Sequence, residues 1–568
     1  MNGADVTASF LTPTLMSGRD WKAWELAVLR VLEHCGWRNL QYIGETGDCG
    51  VDILAIRYDA KLNRDVSYAV QVKAVSTDQY VGVSALQQVI DGQGVYGAEV
   101  AIVVTNTDFT DSAYERRDLF VRNGFKIMLW NGSTVQALLN RYPERSRAFR
   151  ELREYQADVA ASVIERFKQG GSRASFVVAT GLGKTVIAAS IAQTLFQYGL
   201  RKVLVLCHAT DLAIQLQKSF WCQISKSIPT RLFMDGDAPV PFEGISFGLY
   251  QTLFQYLGGL DPDAFDLIIV DEAHHALGNG FMTCLSHLKP KFVIGMTATP
   301  WRGDGASFAS LFGSPLKEVS LVDGMKMGFL ARVDYRLMCD NIDWDEVRRL
   351  SKNKLTIRDL NKHLFLPQRD SAVIVALKKL QNEKEEPLKI AVFSPSVAHA
   401  ESFANALCLS GISARCVSVP DKAVRRAALL AYTTGKIQAI TAVDLLNEGI
   451  DVPDINVLVF LRATHSRRIF IQQLGRGLRV SQNKDAVVVL DFVTDIRRLA
   501  AVRQLDTEAR APIKKGLVER VSLTNGVVTF SNEKARPFID AWLKEVADLQ
   551  DTGGDVSLSF PQIQEVNL

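Results

Sequence analysis

Neither sign of charge dominates this chain of 568 residues: 65 Lys and Arg stand against 62 Asp and Glu, a formal net charge of +3. A broadly basic surface for a polyanion is therefore excluded, and any nucleic-acid contact has to come from locally concentrated basic groups. Cysteine is sparse as well. The eight residues Cys35, Cys49, Cys207, Cys222, Cys284, Cys339, Cys408 and Cys416 are scattered, with no Cys-x-x-Cys pair. Neither a disulfide framework nor a zinc knuckle is expected, and buried thiols in a reducing compartment are. No apolar run approaches the ~18 residues of a membrane span. The opening MNGADVTASFLTPTLMSGRD lacks the basic start and apolar core of a secretory signal. A cytosolic chain without a membrane partner is expected. Long repeats and low-complexity tracts are missing too. What remains is an ordinary globular balance of 47% hydrophobic and 22% charged residues, long enough for roughly four domains at ~150 residues each.

Short apolar runs alternate with longer helical patterns, the mark of parallel α/β sheets. SFVVA (175–179), KVLVLC (202–207), DLIIV (266–270), KFVIGM (291–296), KIAVFS (389–394) and AVVVLDF (486–492) carry no polar alternation, as strands covered on both faces do. Before residue 140 the pattern differs. Trp24, Ala27, Val28, Val31, Leu32 and Cys35 recur at helical spacing in WKAWELAVLRVLEHCGW, predicting an amphipathic helix with one buried stripe. Two alternating strands follow, around VDILAIR and SYAVQVKAV. The charged stretch 140–156 reads as a linker running into a helix, and QNEKEEP (381–387) as a loop leading into the KIAVFS strand.

The segment VVATGLGKT (177–185) is a strand, a glycine-bearing loop and a helix opening. Thr180, Gly181 and Gly183 belong to a loop whose backbone can approach phosphate closely, and the following helix N-terminus presents free N–H groups. Lys184 would reach the β- and γ-phosphates of ATP, and Thr185 would hold Mg²⁺. In DLIIVDEAHH (266–275) a buried strand ends in two carboxylates. Asp271 would hold Mg²⁺ through water and Glu272 would orient and deprotonate the attacking water.

On these residues the chain resembles a superfamily 2 helicase of the DEAH-box type over about 150–500, in the branch that holds restriction-enzyme motor subunits and excision-repair helicases. YQADVA (155–160) looks like the adenine-side motif, with Gln156 reading the base. HATDLAIQ (208–215) and GLYQTL (248–253) look like strand-contacting motifs, and MTATP (296–300) like the motif coupling hydrolysis to DNA contact. AVFSPSVAHA (391–400) and TAVDLLNEGIDVPD (441–454) resemble motifs IV and V. QQLGRGLR (472–479) resembles motif VI, with Gln472 on the nucleotide side and Arg476 and Arg479 as fingers reaching across the cleft. The resemblance implies two RecA-like lobes, at 150–320 and 321–500, with a C-terminal appendage at 501–568. It also implies His274 as a link from the ATP site to Thr297 and Thr299, and DNA as the partner in preference to RNA. Arg467, Arg468, Lys202, Arg302 and Lys436 read as solvated surface charges rather than DNA contacts.

GDCGVDILAI (47–56) places Asp52 at the start of a strand after a glycine turn, and Gln71-Val72-Lys73 follows on a second strand. Gln71 and Lys73, two apart, project to one face, where Asp52 can meet them. Glu25, at the edge of the first helix's apolar stripe, can point at the same cluster. Carboxylate, amide and lysine at this spacing is the pattern of a Mg²⁺-dependent nuclease. Residues 18–140 resemble the Mrr-like restriction endonucleases of the PD-(D/E)xK fold, with VGVSALQQVIDG (81–92), AIVVTNTDFTDSA (101–113) and FKIMLWNGSTVQALL (125–139) continuing the likeness. Gln71 stands where many such nucleases carry an acid, which leaves the metal site weaker in charge.

The reading is therefore an α/β chain with a restriction-endonuclease-like domain at 1–140 followed by two RecA-like parallel-sheet lobes. It is expected to be an ATP-dependent DNA helicase or translocase coupled to a Mg²⁺-dependent endonuclease in restriction or anti-phage defence, with a defence-system protein as a candidate partner. Two alternatives stay open. One is a helicase with a catalytically inactive nuclease-like docking domain, the other an RNA-remodelling helicase.

Overall fold

The structure is a computed structural model. It describes residues 9–18, 20–44, 49–142, 145–233, 237–273, 279–298, 309–338, 355–356, 369–384, 386–443, 455–461, 486–492 and 557–558. Three sheets carry the architecture, and they bear out the α/β expectation of a nuclease-like unit followed by two parallel-sheet lobes.

The first sheet has five strands in the spatial order Arg38–Tyr42, Ile53–Asp59, Arg64–Lys73, Val100–Thr105 and Ile127–Trp130. The first three pair antiparallel and the last two join in parallel. Helix Trp21–His34 covers one face, with Trp24, Val28 and Leu32 in its core, and helix Val83–Tyr96 covers the other with Leu86 and Val89. Because both faces are covered, the central strands are buried nearly throughout rather than on alternate residues. That corrects the expected alternation: polar residues such as Ser67 and Gln71 are inside.

The second sheet is fully parallel, in the order Thr230–Phe233, Gly244–Leu249, Lys202–Cys207, Leu267–Asp271, Phe292–Thr297, Arg173–Val178 and Glu318–Val319. The third is also parallel, in the order Arg332–Met338, Ala486–Phe492, Val457–Phe460, Ile390–Phe393, Ala439–Ala442 and Ala414–Cys416. In a parallel sheet all carboxyl ends lie on one edge, so the strand ends at Val178, Asp271 and Thr297 lie together there.

Helix Arg369–Glu383 takes in the first residues of the stretch read as a loop, a correction of three residues at its start. The charged stretch after 140 is no slack tether either. Ser146 is buried and the Arg147 N–H donates to the His34 carbonyl at 3.0 Å. Helix Trp21–His34 is buried on nearly all sides, not on one stripe, because its second face packs against helix Thr210–Trp221 of the second unit, with Arg30 over the Trp221 ring. No disulfide joins the seven described cysteines, but only Cys207 and Cys284 are buried, and Cys49 and Cys408 are exposed. Cys339 lies outside the described residues.

Candidate functional site

Strand Arg173–Val178 delivers the chain into a tight loop and then into helix Lys184–Gln197. Gly181 and Gly183 have φ of +88° and +83°, the left-handed region that costs other residues about 1–2 kcal/mol. Gly183 has a second reason: a Cβ there would fall 2.6 Å from Gln156 Nε2. Gln156 is buried and ties helix Glu154–Lys168 to the loop. Its Nε2 donates to the Leu182 carbonyl at 2.9 Å, and its Oε1 accepts from the Arg153 N–H at 3.0 Å. Tyr155 Oη donates to the same Leu182 carbonyl at 2.6 Å. Gln156 thus sits beside the loop, with both ends of its amide engaged by main chain.

Lys184, one step past the loop, reaches the two acids at the end of strand Leu267–Asp271. Its Nζ lies 3.1 Å from Asp271 Oδ1 and pairs with Glu272 Oε1. Burial by itself would lower the Lys184 ammonium, but the Asp271 and Glu272 charges overcome it and hold the group above its usual value. Burial raises the Asp271 carboxyl, with Glu272 adding and Lys184 opposing. Glu272 leaves the strand with φ +48°, a left-handed backbone of the kind that clusters at functional sites. Thr297, fully buried, ends the neighbouring strand. Thr180, Gly181, Gly183, Lys184, Thr185 and Asp271 therefore share one sheet edge with Glu272. His274, Thr299, Arg302, Arg467, Arg468, Gln472, Arg476 and Arg479 lie outside the described residues.

In the first unit the structure brings Asp52 and Gln71 together. Asp52 Oδ2 accepts from Gln71 Nε2 and from the Val72 N–H, both at 2.6 Å, and both residues are buried. The Asp52 N–H donates to the Val70 carbonyl at 2.9 Å, which fixes the register. The turn feeding Asp52 has Cys49 and Gly50 at φ +53° and +75°. Gln71 Oε1 is buried with no hydrogen-bond partner, an oxygen that has given up water with nothing in exchange. Lys73 is half-buried at the end of the same strand. Glu25 is buried and accepts from Tyr42 Oη at 2.8 Å. It faces the turn after strand Arg38–Tyr42, where a Cβ on Gly44 would lie 2.5 Å from Glu25 Oε2. That turn is bonded to the Asp52 main chain, since the Ile43 N–H donates to the Asp52 carbonyl at 2.7 Å.

A buried acid beside an orphaned amide oxygen fits Mg²⁺, a hard cation that takes one or two protein oxygens and keeps several waters. The donor set is thin, however. Among the described residues no group of three or more His, Cys, Asp or Glu is placed to hold a metal ion, and none of the helices is long and apolar enough to cross a membrane.

Residues without a sequence signal stand between the units. Arg30 is buried and donates to the Ile228 and Ser225 carbonyls at 2.9 and 3.2 Å, with its guanidinium 4.1 Å from the Phe10 ring centre. Glu33 accepts from Ser146 Oγ at 3.0 Å and from Cys222 Sγ at 2.9 Å. Burial pushes the Arg30 group down and the Glu33 carboxyl up, each opposed by the other's charge. Lys436, read as a solvated charge, is exposed as expected and also donates to the Gly97 carbonyl at 2.9 Å.

Comparison with known proteins divides the chain in the same way. The Mrr catalytic family, described as restriction endonuclease, matches residues 16–139. The type III restriction enzyme res-subunit family matches 149–302, and the helicase conserved C-terminal domain matches 372–481. The Saccharomyces cerevisiae protein IRC3, named as an ATP-dependent helicase, is 26% identical over 60% of this chain and 51% of its own length. The type I restriction enzyme EcoAI endonuclease subunit of Escherichia coli is 25% identical over 65% of this chain and 49% of its own. The chain thus spans about half the length of these curated relatives. The type ISP restriction-modification enzyme LlaBIII, solved bound to DNA, shares the fold at a TM-score of 0.50 and 18% identity, over 83% of this chain and 36% of that one.

Proposed function

We propose that this chain, which matches a restriction endonuclease family over 16–139 and helicase families over 149–302 and 372–481, is an ATP-driven DNA translocase or helicase coupled to a Mg²⁺-dependent DNA endonuclease. We extend this reading to restriction of foreign DNA, in the cytoplasm and with a defence-system protein as partner; the restriction enzymes among its relatives support the first of these. The observation that carries the motor half is Lys184 on Asp271 and Glu272 at the carboxyl edge of a parallel sheet. In this reading Lys184 exchanges its two carboxylates for the phosphates of ATP. Asp271 and Thr185 would then hold Mg²⁺, Glu272 would orient the attacking water, and Arg476 and Arg479 would stabilise the charge on the γ-phosphate.

The nuclease half rests on the buried Asp52–Gln71 pair with its orphaned Gln71 Oε1. Asp52 and Gln71 would hold Mg²⁺, Lys73 would position the attacking water, and Glu25 would supply the second carboxylate. Bound Mg²⁺ contributes acidification of that water and charge neutralisation at the phosphodiester. The test is cleavage of plasmid DNA with Mg²⁺ and ATP. Asp52→Ala and Lys73→Ala are expected to stop cleavage while DNA-stimulated ATPase continues. Normal cleavage by the Asp52→Ala protein would remove the assignment.

A second reading has an observation in its favour, the neutral amide of Gln71 bonded to Asp52 where many nucleases of this fold carry a second acid. A DNA-docking domain that has lost catalysis would cleave under no metal or nucleotide condition, yet its deletion would weaken DNA binding.

A further inference from the structure

The nuclease-like unit touches both lobes. Arg30 and Glu33 pin it to the first lobe, through the Ile228 and Ser225 carbonyls and the Cys222 thiol. On the other side lies helix Lys422–Thr433 of the second lobe, KAVRRAALLAYT, capped by Asp421. Ala428, Leu429 and Tyr432 turn towards that lobe's own core. Ala423, Ala427 and Leu430 form a second stripe at i, i+4 and i+7, and they pack into the core of the nuclease-like unit with Leu86, Val89 and Ile43. Arg426 lies on this second stripe. Its guanidinium donates to the Ile43 and Tyr42 carbonyls at 3.4 and 3.5 Å.

Those two carbonyls belong to the segment on which the candidate metal site is built. Tyr42 Oη donates to Glu25 Oε2 at 2.8 Å, and the Ile43 and Gly44 N–H groups donate to the Asp52 carbonyl at 2.7 and 3.4 Å. A shift of one residue in this segment therefore displaces both acids, and Arg426 grips it from a different lobe. The lobes change their relation as ATP binds and is hydrolysed in any motor whose site is shared between them.

We propose that Arg426 is a positioning residue for the nuclease-like site: it transmits the position of the second lobe, through Tyr42–Gly44, to Glu25 and Asp52. The proposal rests on the nuclease reading for its purpose but not for its test. A fork of donors bridging two consecutive carbonyls holds both the direction and the distance of the strand end, which a single ammonium cannot do.

Hydrogen–deuterium exchange on the full chain, with and without a non-hydrolysable ATP analogue and Mg²⁺, measures the link directly. In the native protein the analogue is expected to slow exchange over 179–186 and to change it over 40–54. Arg426→Ala is expected to keep the first response and lose the second. Arg426→Lys, which keeps the charge and guards against a folding defect, is expected to reduce the second response. Lys436→Ala removes a contact to Gly97, away from this segment, and is expected to keep both responses. An undiminished response over 40–54 in Arg426→Ala overturns the proposal, as does a native protein that responds over 179–186 alone. Cleavage assays on the same samples separate the two claims. A native protein that never cuts DNA but shows the exchange pattern sinks the nuclease reading and leaves the coupling standing.

Discussion

At single residues, chemistry and backbone geometry make firm demands. Gly183 needs both its left-handed φ and the space beside Gln156. Gly183→Ala is expected to cost about 1–2 kcal/mol of local strain and to weaken nucleotide binding, as measured by titration with a fluorescent ATP analogue. Lys184→Ala is expected to lower DNA-stimulated ATPase by at least ~10², in line with loss of one strong transition-state donor, and a phosphate-release assay checks it. Thiol accessibility gives an independent test. Cys49 and Cys408 are exposed, whereas Cys207 and Cys284 are buried, with burial pushing their thiols up to about 12 and about 11. Mass spectrometry after brief labelling at pH 8 should find the first two modified and the second two intact. The acids and lysines at both sites were legible because their chemistry needs fixed types at short spacings, such as Lys184-Thr185 or Gln71-x-Lys73. Arg30 and Arg426 were not. Each is a charge on a helix flank, and only the presence of another unit of the chain turns that flank inward.

Among elements, the parallel strands were readable from their unbroken apolar runs, and the carboxyl-edge position of Asp271 followed from that. The strands Ile53–Asp59 and Arg64–Lys73 look alternating in sequence yet are buried on both faces, since helices Trp21–His34 and Val83–Tyr96 cover opposite sides. The periodicity of Trp21–His34 reports only the face on its own sheet. Its second face, with Arg30 and Glu33, is matched to the turn after helix Thr210–Trp221. Removing one member of a buried charged cluster strands the rest. Arg30→Ala, which leaves the Ile228 and Ser225 carbonyls without their donor, is therefore expected to cost about 1–3 kcal/mol for each carbonyl left buried and unpaired. Limited proteolysis should then show faster cutting in the stretch 140–153, and a thermal melt should show the nuclease-like unit separating from the lobe. An unchanged melt and digest would mean that the units are held by apolar contact alone.

For the whole molecule, the near-zero net charge set the first constraint, and it agrees with a motor that grips its track through one groove. The logarithm of DNA affinity should fall against that of salt at roughly −0.9 per contacted phosphate. A slope steeper than about −10 would indicate a much wider basic surface. Coupling of two chemistries in one chain is the central claim, and one experiment addresses it most directly. ATP hydrolysis and Mg²⁺-dependent cleavage are followed together on plasmid DNA for the native, Lys184→Ala and Asp52→Ala proteins. The account predicts that the native protein does both, that Asp52→Ala hydrolyses ATP without cutting, and that Lys184→Ala loses ATPase together with all ATP-dependent cutting. Cleavage that persists in Asp52→Ala, or that is the same with and without ATP in the native protein, would contradict it.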